Sequence, residues 1–447
     1  MRIAAAQRLP AAMSDALARA EPTERKPLGP WSATALVVGS MIGSGVFLLP
    51  ASLASYGGVS LLGWAITLSG ALALALTFAR LAMRWPQTGG PYAFARNAFG
   101  EAPGFMVAWS YWVSIWSANA AIAVAFAGSV GALFPALVAT PLRAGACALA
   151  GLWLCAAINL LGLREAGRMQ IVLTVLKFVP LALFAGIAIW FVEPAQFQPF
   201  NRSAESLPAA THACVALVLW ALLGLEAATV PAGAIDDPAR TIPRATLAGT
   251  ALAGIATVLA VTAVIGIVPA AQLKDSTAPM ADAARMLWGG WAGIAIATVA
   301  AVSCLGALNG WVMLSAQIPL AAARDGLLPR AFARQDARGT PVFGLVASSL
   351  LASLLVAANF SRSLVSLFTF SILLSTAATL LPYLAGSAAW LLRGERKDRV
   401  VAAFALAYSA YALLGAGAEA LLWGGALLLA GAPVYAWMRW PRARQAP

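Results

Sequence analysis

Two ionisable side chains fall inside long apolar runs of this 447-residue sequence, and two such runs are interrupted by glycine. Glu226 lies in Trp220-Ala221-Leu222-Leu223-Gly224-Leu225-Glu226-Ala227. A carboxylate at membrane depth is costly and faces a cavity or a partner, so Glu226 is a candidate for substrate recognition, proton exchange or gating. An ion pair with Lys177 is the purely structural alternative. Lys177 stands eight residues after Met169, about 12 Å of helical rise and too deep for its ammonium to snorkel out. Proton uptake and release is the chemistry available to it. The other interruption, Gly39-Ser40-Met41-Ile42-Gly43-Ser44-Gly45, places three glycines in seven positions. Glycine disfavours helix, so the run is expected to unwind, which hydrocarbon tolerates only against protein or a water-filled cavity. N–H groups around Ser44, Gly45 and Val46 suit a carboxylate, and carbonyls freed near Ser40, Met41 and Trp220 suit an ammonium. Ile42, Gly43 and Leu223 belong to the same candidate site. A kink with glycine for close helix packing is the alternative. The faces of Tyr111, Trp116, Trp220 and Trp311 can each hold a cation for about 0.5–2 kcal/mol, whereas most tryptophans in membrane proteins serve packing or the interface.

The elements that must position these groups are membrane helices. The chain is 61% hydrophobic and 10% charged, with a mean hydropathy of +0.82, a composition that excludes a soluble globular domain of this size. Twelve apolar stretches are long enough to cross a bilayer. They fall near 32–53, 60–84, 104–134, 143–163, 169–191, 212–233, 246–270, 288–323, 341–359, 363–392, 400–416 and 419–438. The interrupted spans are the first and the sixth. Broken helices at corresponding positions of two halves point to an inverted-repeat transporter with its site near the midplane.

The net charge of +12 is a topology signal. With a cytoplasmic N-terminus, 23 of the 29 Lys and Arg fall in inside segments and five outside, Lys177 being the remaining one. That bias sets both termini in the cytoplasm and excludes a nucleic-acid role for the basic charge. Residues 1–31 carry no apolar signal-peptide core and read as a tail. Cys147, Cys155, Cys214 and Cys304 lie in spans without metal-ligand spacing and read as buried, inert thiols. His212 starts the sixth span and reads as water-facing. No metal, cofactor or nucleotide-binding loop is expected.

Several motifs together carry a resemblance. They are Gly43-Ser44-Gly45-Val46-Phe47-Leu48-Leu49-Pro50, Gly89-Gly90-Pro91-Tyr92, Trp220 through Glu226, Ser276-Thr277-Ala278-Pro279, Cys304-Leu305-Gly306, Trp311, Asp325-Gly326 and Pro382-Tyr383. From about residue 30 to 440 the chain resembles the amino acid-polyamine-organocation superfamily. It most resembles the basic amino acid/polyamine antiporters, including the arginine/agmatine and putrescine/ornithine exchangers. The resemblance implies an all-α polytopic membrane protein of twelve transmembrane helices. Its fold would be a leucine-transporter-type five-plus-five inverted repeat with helices 1 and 6 discontinuous, followed by two C-terminal helices. The chain then divides into a cytoplasmic tail (1–31), a ten-helix transport core (32–392), the last two helices (393–439) and a second tail (440–447). The implied setting is a bacterial-type inner membrane, in a family several of whose members are homodimers. The resemblance assigns Ser44 to the substrate carboxylate, Glu226 to recognition and gating, and Trp220 and Trp311 to the substrate path. It sets Tyr111, Ser114 and Asn119 nearby on span three.

Three features depart from the arginine exchanger. Ser40 stands where it has an asparagine, and Leu373 lies near where it has a serine. Lys177 is foreign to it, but similar to the lysine of sodium-independent or proton-coupled superfamily members, whose ammonium takes the place of a sodium ion. Tyr411 and Glu419 resemble a segment of the putrescine exchanger that affects polyamine transport, and by position Glu419 is equally an outer-loop carboxylate. The leading reading is a sodium-independent secondary transporter, not an enzyme. It exchanges a basic amino acid for an amine, a polyamine or another amino acid by alternating access, with protons as further partners. The alternative is a proton-coupled symporter or exporter of neutral amino acids. A receptor that keeps the site without transport is disfavoured by the paired breaks with Glu226 and Lys177.

Overall fold

The computed structural model describes residues 29–443 apart from 88, 162, 231, 233, 234 and 360, with side chains described outside 163–173 and 441–443. Residues 1–28 and 444–447, which make up most of the two expected tails, lie outside the described residues, as do the side chains of Arg164, Arg168 and Arg442. All regular secondary structure among the described residues is helical. The elements used below are α1 (Pro30–Met41), α2 (Ser44–Leu53), α3 (Val59–Arg84), α4 (Pro91–Phe99), α5 (Glu101–Leu133), α6 (Pro141–Leu160), α7 (Leu163–Ala188) and α8 (Leu207–Trp220). They continue with α9 (Pro238–Ile267), α10 (Pro279–Trp288), α11 (Gly290–Arg324), α12 (Val342–Ala357), α13 (Leu364–Arg393), α14 (Arg399–Leu414), α15 (Ala418–Leu429) and α16 (Gly431–Ala443).

Nine helical segments among the described residues are long and apolar enough to cross a membrane. Three of the twelve expected spans are shorter helices: α8, which stops at Trp220 in the sixth, α12 in the ninth and α14 in the eleventh. Burial sorts the segments into centre and rim. Small residues such as Gly104, Ser110, Ser114, Ala118 and Ala121 let neighbours approach α5 closely, and they are buried in a helix whose apolar window is 89% buried. The last segment, Ala418–Trp440, is 6% buried and forms the rim. Hydroxyls fasten α5 to α13: Ser110 donates to the Ala378 carbonyl at 2.6 Å and Ser375 to the Ser114 carbonyl at 2.8 Å.

Two short helices went unforeseen because neither is apolar all round nor long enough to read as a span. α4 and α10 both open with proline in the first turn and end at a glycine with φ near +90°, Gly100 and Gly289. Each leads directly into the long helix that follows, α5 or α11. They cap opposite ends of the α5/α11 pair. Tyr92 and Arg96 of α4 reach Asp325, just past α11, at 2.5 and 2.8 Å, while Gly128 near the end of α5 abuts the Thr277 backbone ahead of α10. Burial first, then the hydrogen bond to Asp325, raises the Tyr92 hydroxyl pKa, so this donor stays protonated. Matching devices five spans apart and at opposite ends are what an inverted repeat requires.

Candidate functional site

The first span breaks as its glycines require. α1 closes with the Ile42 N–H on the Val38 carbonyl at 2.9 Å, Ile42 is extended, Gly43 is neither helical nor extended, and α2 restarts at Ser44. The sixth span leaves the helix at Trp220, runs through turns over 221–226, and makes a single 3₁₀ turn at Ala227–Thr229. Here Gly224 has φ +101°, a conformation L side chains rarely adopt. The two breaks are packed on each other. A Cβ on Gly45 would meet the Ala221 Cα at 2.9 Å, and one on Gly224 would meet the Ser40 Cβ at 2.9 Å.

Between them lies a cavity of about 10 Å³, room for about one water molecule. It is lined by the expected Ser40, Gly43, Ser44, Gly45, Trp220, Leu223 and Trp311, and also by Met41, Ile122 and Ala307. The Ser44 hydroxyl is buried with no hydrogen-bond partner among the described residues, and the Trp311 indole donates to the Ser40 carbonyl at 3.3 Å. Ser40 also lines a second cavity of about 270 Å³. That space runs past Gly89, Val230, Met313 and Gln317 to Arg324, the end of the bundle held by α4. Ser40 is thus common to the walls of both.

Glu226 and Lys177 are both fully buried and do not form the ion pair weighed above. Glu226 Oε1 accepts from the Tyr111 hydroxyl at 2.6 Å and Oε2 from the Tyr383 hydroxyl at 2.7 Å, so side chains of α5 and α13 meet on a carboxylate from the second break. Lys177, on α7, donates to the Gly39 carbonyl. That carbonyl belongs to α1, just before the first break, and as an acceptor it offsets part of the cost of burying the ammonium.

The other expected residues are distributed more widely. Ile42 contributes backbone at the α1 terminus. The Ser114 hydroxyl turns back to the Tyr111 carbonyl of its own helix at 2.8 Å. Asn119 is fully buried, with neither amide atom paired among the described residues. Trp116 lines an outer cleft of α12 and α15 and is absent from the walls of both central cavities. Tyr411 packs edge-on against His212, with ring centroids 3.9 Å apart, and Glu419 pairs with Arg362 at 2.5 Å, both away from the glycine breaks. His212 is thus half-buried against an aromatic ring, and Cys147 is half-buried whereas the other three thiols are buried.

Three contributors escaped sequence reasoning. Tyr383 stood in view as part of a motif, yet nothing in its spacing tied it to Glu226. Ile122 brings α5 to the cavity wall one helical turn beyond Asn119. Ser375 supplies a buried hydroxyl on span ten that donates to the Ser114 carbonyl, while Leu373 packs against an apolar cluster containing Ala377 and Ala416.

Helices that break where they touch, with a small pocket at the breaks and a wider cavity toward one end of the bundle, describe a membrane transporter. The Amino acid permease family model matches residues 28–418. The chain is 35% identical over 326 residues, 73% of each chain, to the cadaverine/lysine antiporter of Escherichia coli K12. It is 31% identical over 412 residues to the putrescine transporter PotE of the same strain, and 32% identical over 415 residues to that of Haemophilus influenzae. Both of those matches cover 90% of this chain and 94% of the relative. The chain belongs to the amino acid permease family, as its motifs led one to expect.

Proposed function

We propose that this protein is an antiporter that exchanges a basic amino acid for a diamine or another amino acid across a bacterial inner membrane. The observation that carries the reading is the pair of helix breaks packed through Gly45 and Gly224, with the unpartnered Ser44 hydroxyl between them. The antiporter and transporter names of its relatives supply the substrate class. In this reading the start of α2 at Ser44 and Gly45 takes the carboxylate, carbonyls at Ser40 and Met41 take the α-ammonium, and Trp220 and Trp311 close over the substrate. Span three contributes through Tyr111, Ser114 and Asn119. Glu226, released from Tyr111 or Tyr383, receives the distal cation. Lys177 holds the Gly39 carbonyl in place of a sodium ion, so transport needs no sodium. Residues 32–392 act as the transport core beside a two-helix rim, 393–439, with both termini cytoplasmic.

Counterflow in proteoliposomes tests this directly. Labelled lysine, arginine or putrescine should accumulate only when the lumen is preloaded with unlabelled amine or amino acid, with or without sodium. Uptake driven by a proton gradient alone, into empty vesicles, would replace the exchanger with a symporter.

A further inference from the structure

Away from the substrate route, at the end of the bundle opposite Asp325, two cavities of contrasting chemistry meet at Asn359 and Arg362. The first, about 170 Å³, is walled by the N-terminal ends of two helices, α6 with its cap Thr140 and α13 with its cap Ser363. The caps already take the Arg143 and Ser366 N–H groups, and each end turns the positive pole of its helix to the cavity. Arg143 lies in the first turn of α6, and its guanidinium donates to the Ala136 carbonyl. The second, about 340 Å³, is apolar and bounded by Trp116, Leu354, Ala358, Phe370 and Trp423. Leu354 and Trp423 are more than half exposed, so the cleft opens onto the lipid-facing rim.

Arg362 joins the two compartments. Its guanidinium lies 4.7 Å from the centre of the Phe370 ring in the apolar cleft and also lines the polar cavity. One of its nitrogens is bound to Glu419 at 2.5 Å, and the guanidinium fork has five donors in all. On the wall of the apolar cleft the Trp116 indole N–H is buried without an acceptor among the described residues. An anion-attracting pocket and a hydrocarbon cleft joined through one arginine fit a molecule with an anionic group and an attached chain. In a membrane protein that molecule is a phospholipid.

We propose that this is a built phospholipid site. The phosphodiester sits between Arg362 and the starts of α6 and α13, a lipid ester carbonyl accepts from the Trp116 indole N–H, and an acyl chain fills the cleft against Phe370. Glu419 competes with the phosphate for Arg362. The site stands apart from the glycine breaks and does not depend on which substrate is carried.

Native mass spectrometry of the full chain in detergent, titrated with phosphatidylglycerol, with diacylglycerol of the same chains and with inorganic phosphate, tests the proposal. Phosphatidylglycerol should bind as one saturable adduct that diacylglycerol does not form. Arg362→Gln should weaken that adduct about ten-fold, the scale of a lost charge-assisted contact. Ala358→Trp, which fills the cleft from its exposed rim, should abolish the adduct and leave the oligomeric mass unchanged. Equal binding of diacylglycerol, or an adduct indifferent to Arg362→Gln, would overturn the proposal. So would full competition by inorganic phosphate alone, which would mark a free-anion site. A drop in oligomeric mass in Ala358→Trp would instead identify the cleft as a contact between two copies of this chain.

Discussion

Lys177 and Glu226 are equally buried, yet they are held in different ways. Lys177 meets a backbone carbonyl of α1, so its charge is spent on the frame of the first break. Glu226 meets two tyrosine hydroxyls from two other spans, Tyr111 and Tyr383, which can turn away without unfolding any helix. The contrast separates a fixed charge from an available one. A backbone partner cannot leave without remodelling α1, whereas a side-chain partner can be exchanged for a substrate cation at the cost of a rotamer change.

The largest effect should come from removing the available charge. Glu226→Gln keeps the shape and one acceptor but cannot bind a cation as a carboxylate, and exchange of lysine or putrescine should fall roughly 100-fold with folding retained. Normal exchange by this variant would erase the contrast. Gly224→Ala should come next. It forces a side chain into φ +101° and onto Ser40, costing about 1–3 kcal/mol of stability together with much of the transport, both readable from thermal unfolding and vesicle assays. Lys177→Met removes the fixed charge while keeping the length of the side chain. Exchange should slow by no more than roughly ten-fold, since the Gly39 carbonyl is left without its donor in a dry environment, and its pH profile should keep its shape. A flattened profile would make Lys177 a titrating partner in transport. The smallest effect belongs to the rim. Glu419→Gln loses a partly exposed pair and should change exchange by less than about two-fold. A large selective loss of diamine transport would bring the outer carboxylate back into the substrate route.

Sequence made the breaks legible because glycine has a local cost that spacing reveals, and Ser44, Trp220 and Trp311 were legible with them. Glu226 and Lys177 were visible as charges in apolar runs, but their partners were not. Tyr111 and Tyr383 lie 115 and 157 residues from Glu226, a separation no local pattern encodes. Trp116 shows the opposite failure: it shares a helix with Tyr111, and five residues of helical rotation turn it to the outer rim. Helices α4 and α10 escaped because they are short and mix apolar with polar and charged residues, and only contacts with Asp325 and Thr277 reveal what they cap.

The most direct test of the division between the two buried charges is equilibrium binding of labelled putrescine and lysine to the purified protein, its Glu226→Gln variant and its Lys177→Met variant. The predicted result is that Glu226→Gln loses putrescine affinity by about ten-fold or more, while Lys177→Met binds both ligands within about three-fold of the unaltered protein and without a need for sodium. Undiminished putrescine binding in Glu226→Gln, together with loss of binding in Lys177→Met, would contradict the assignment.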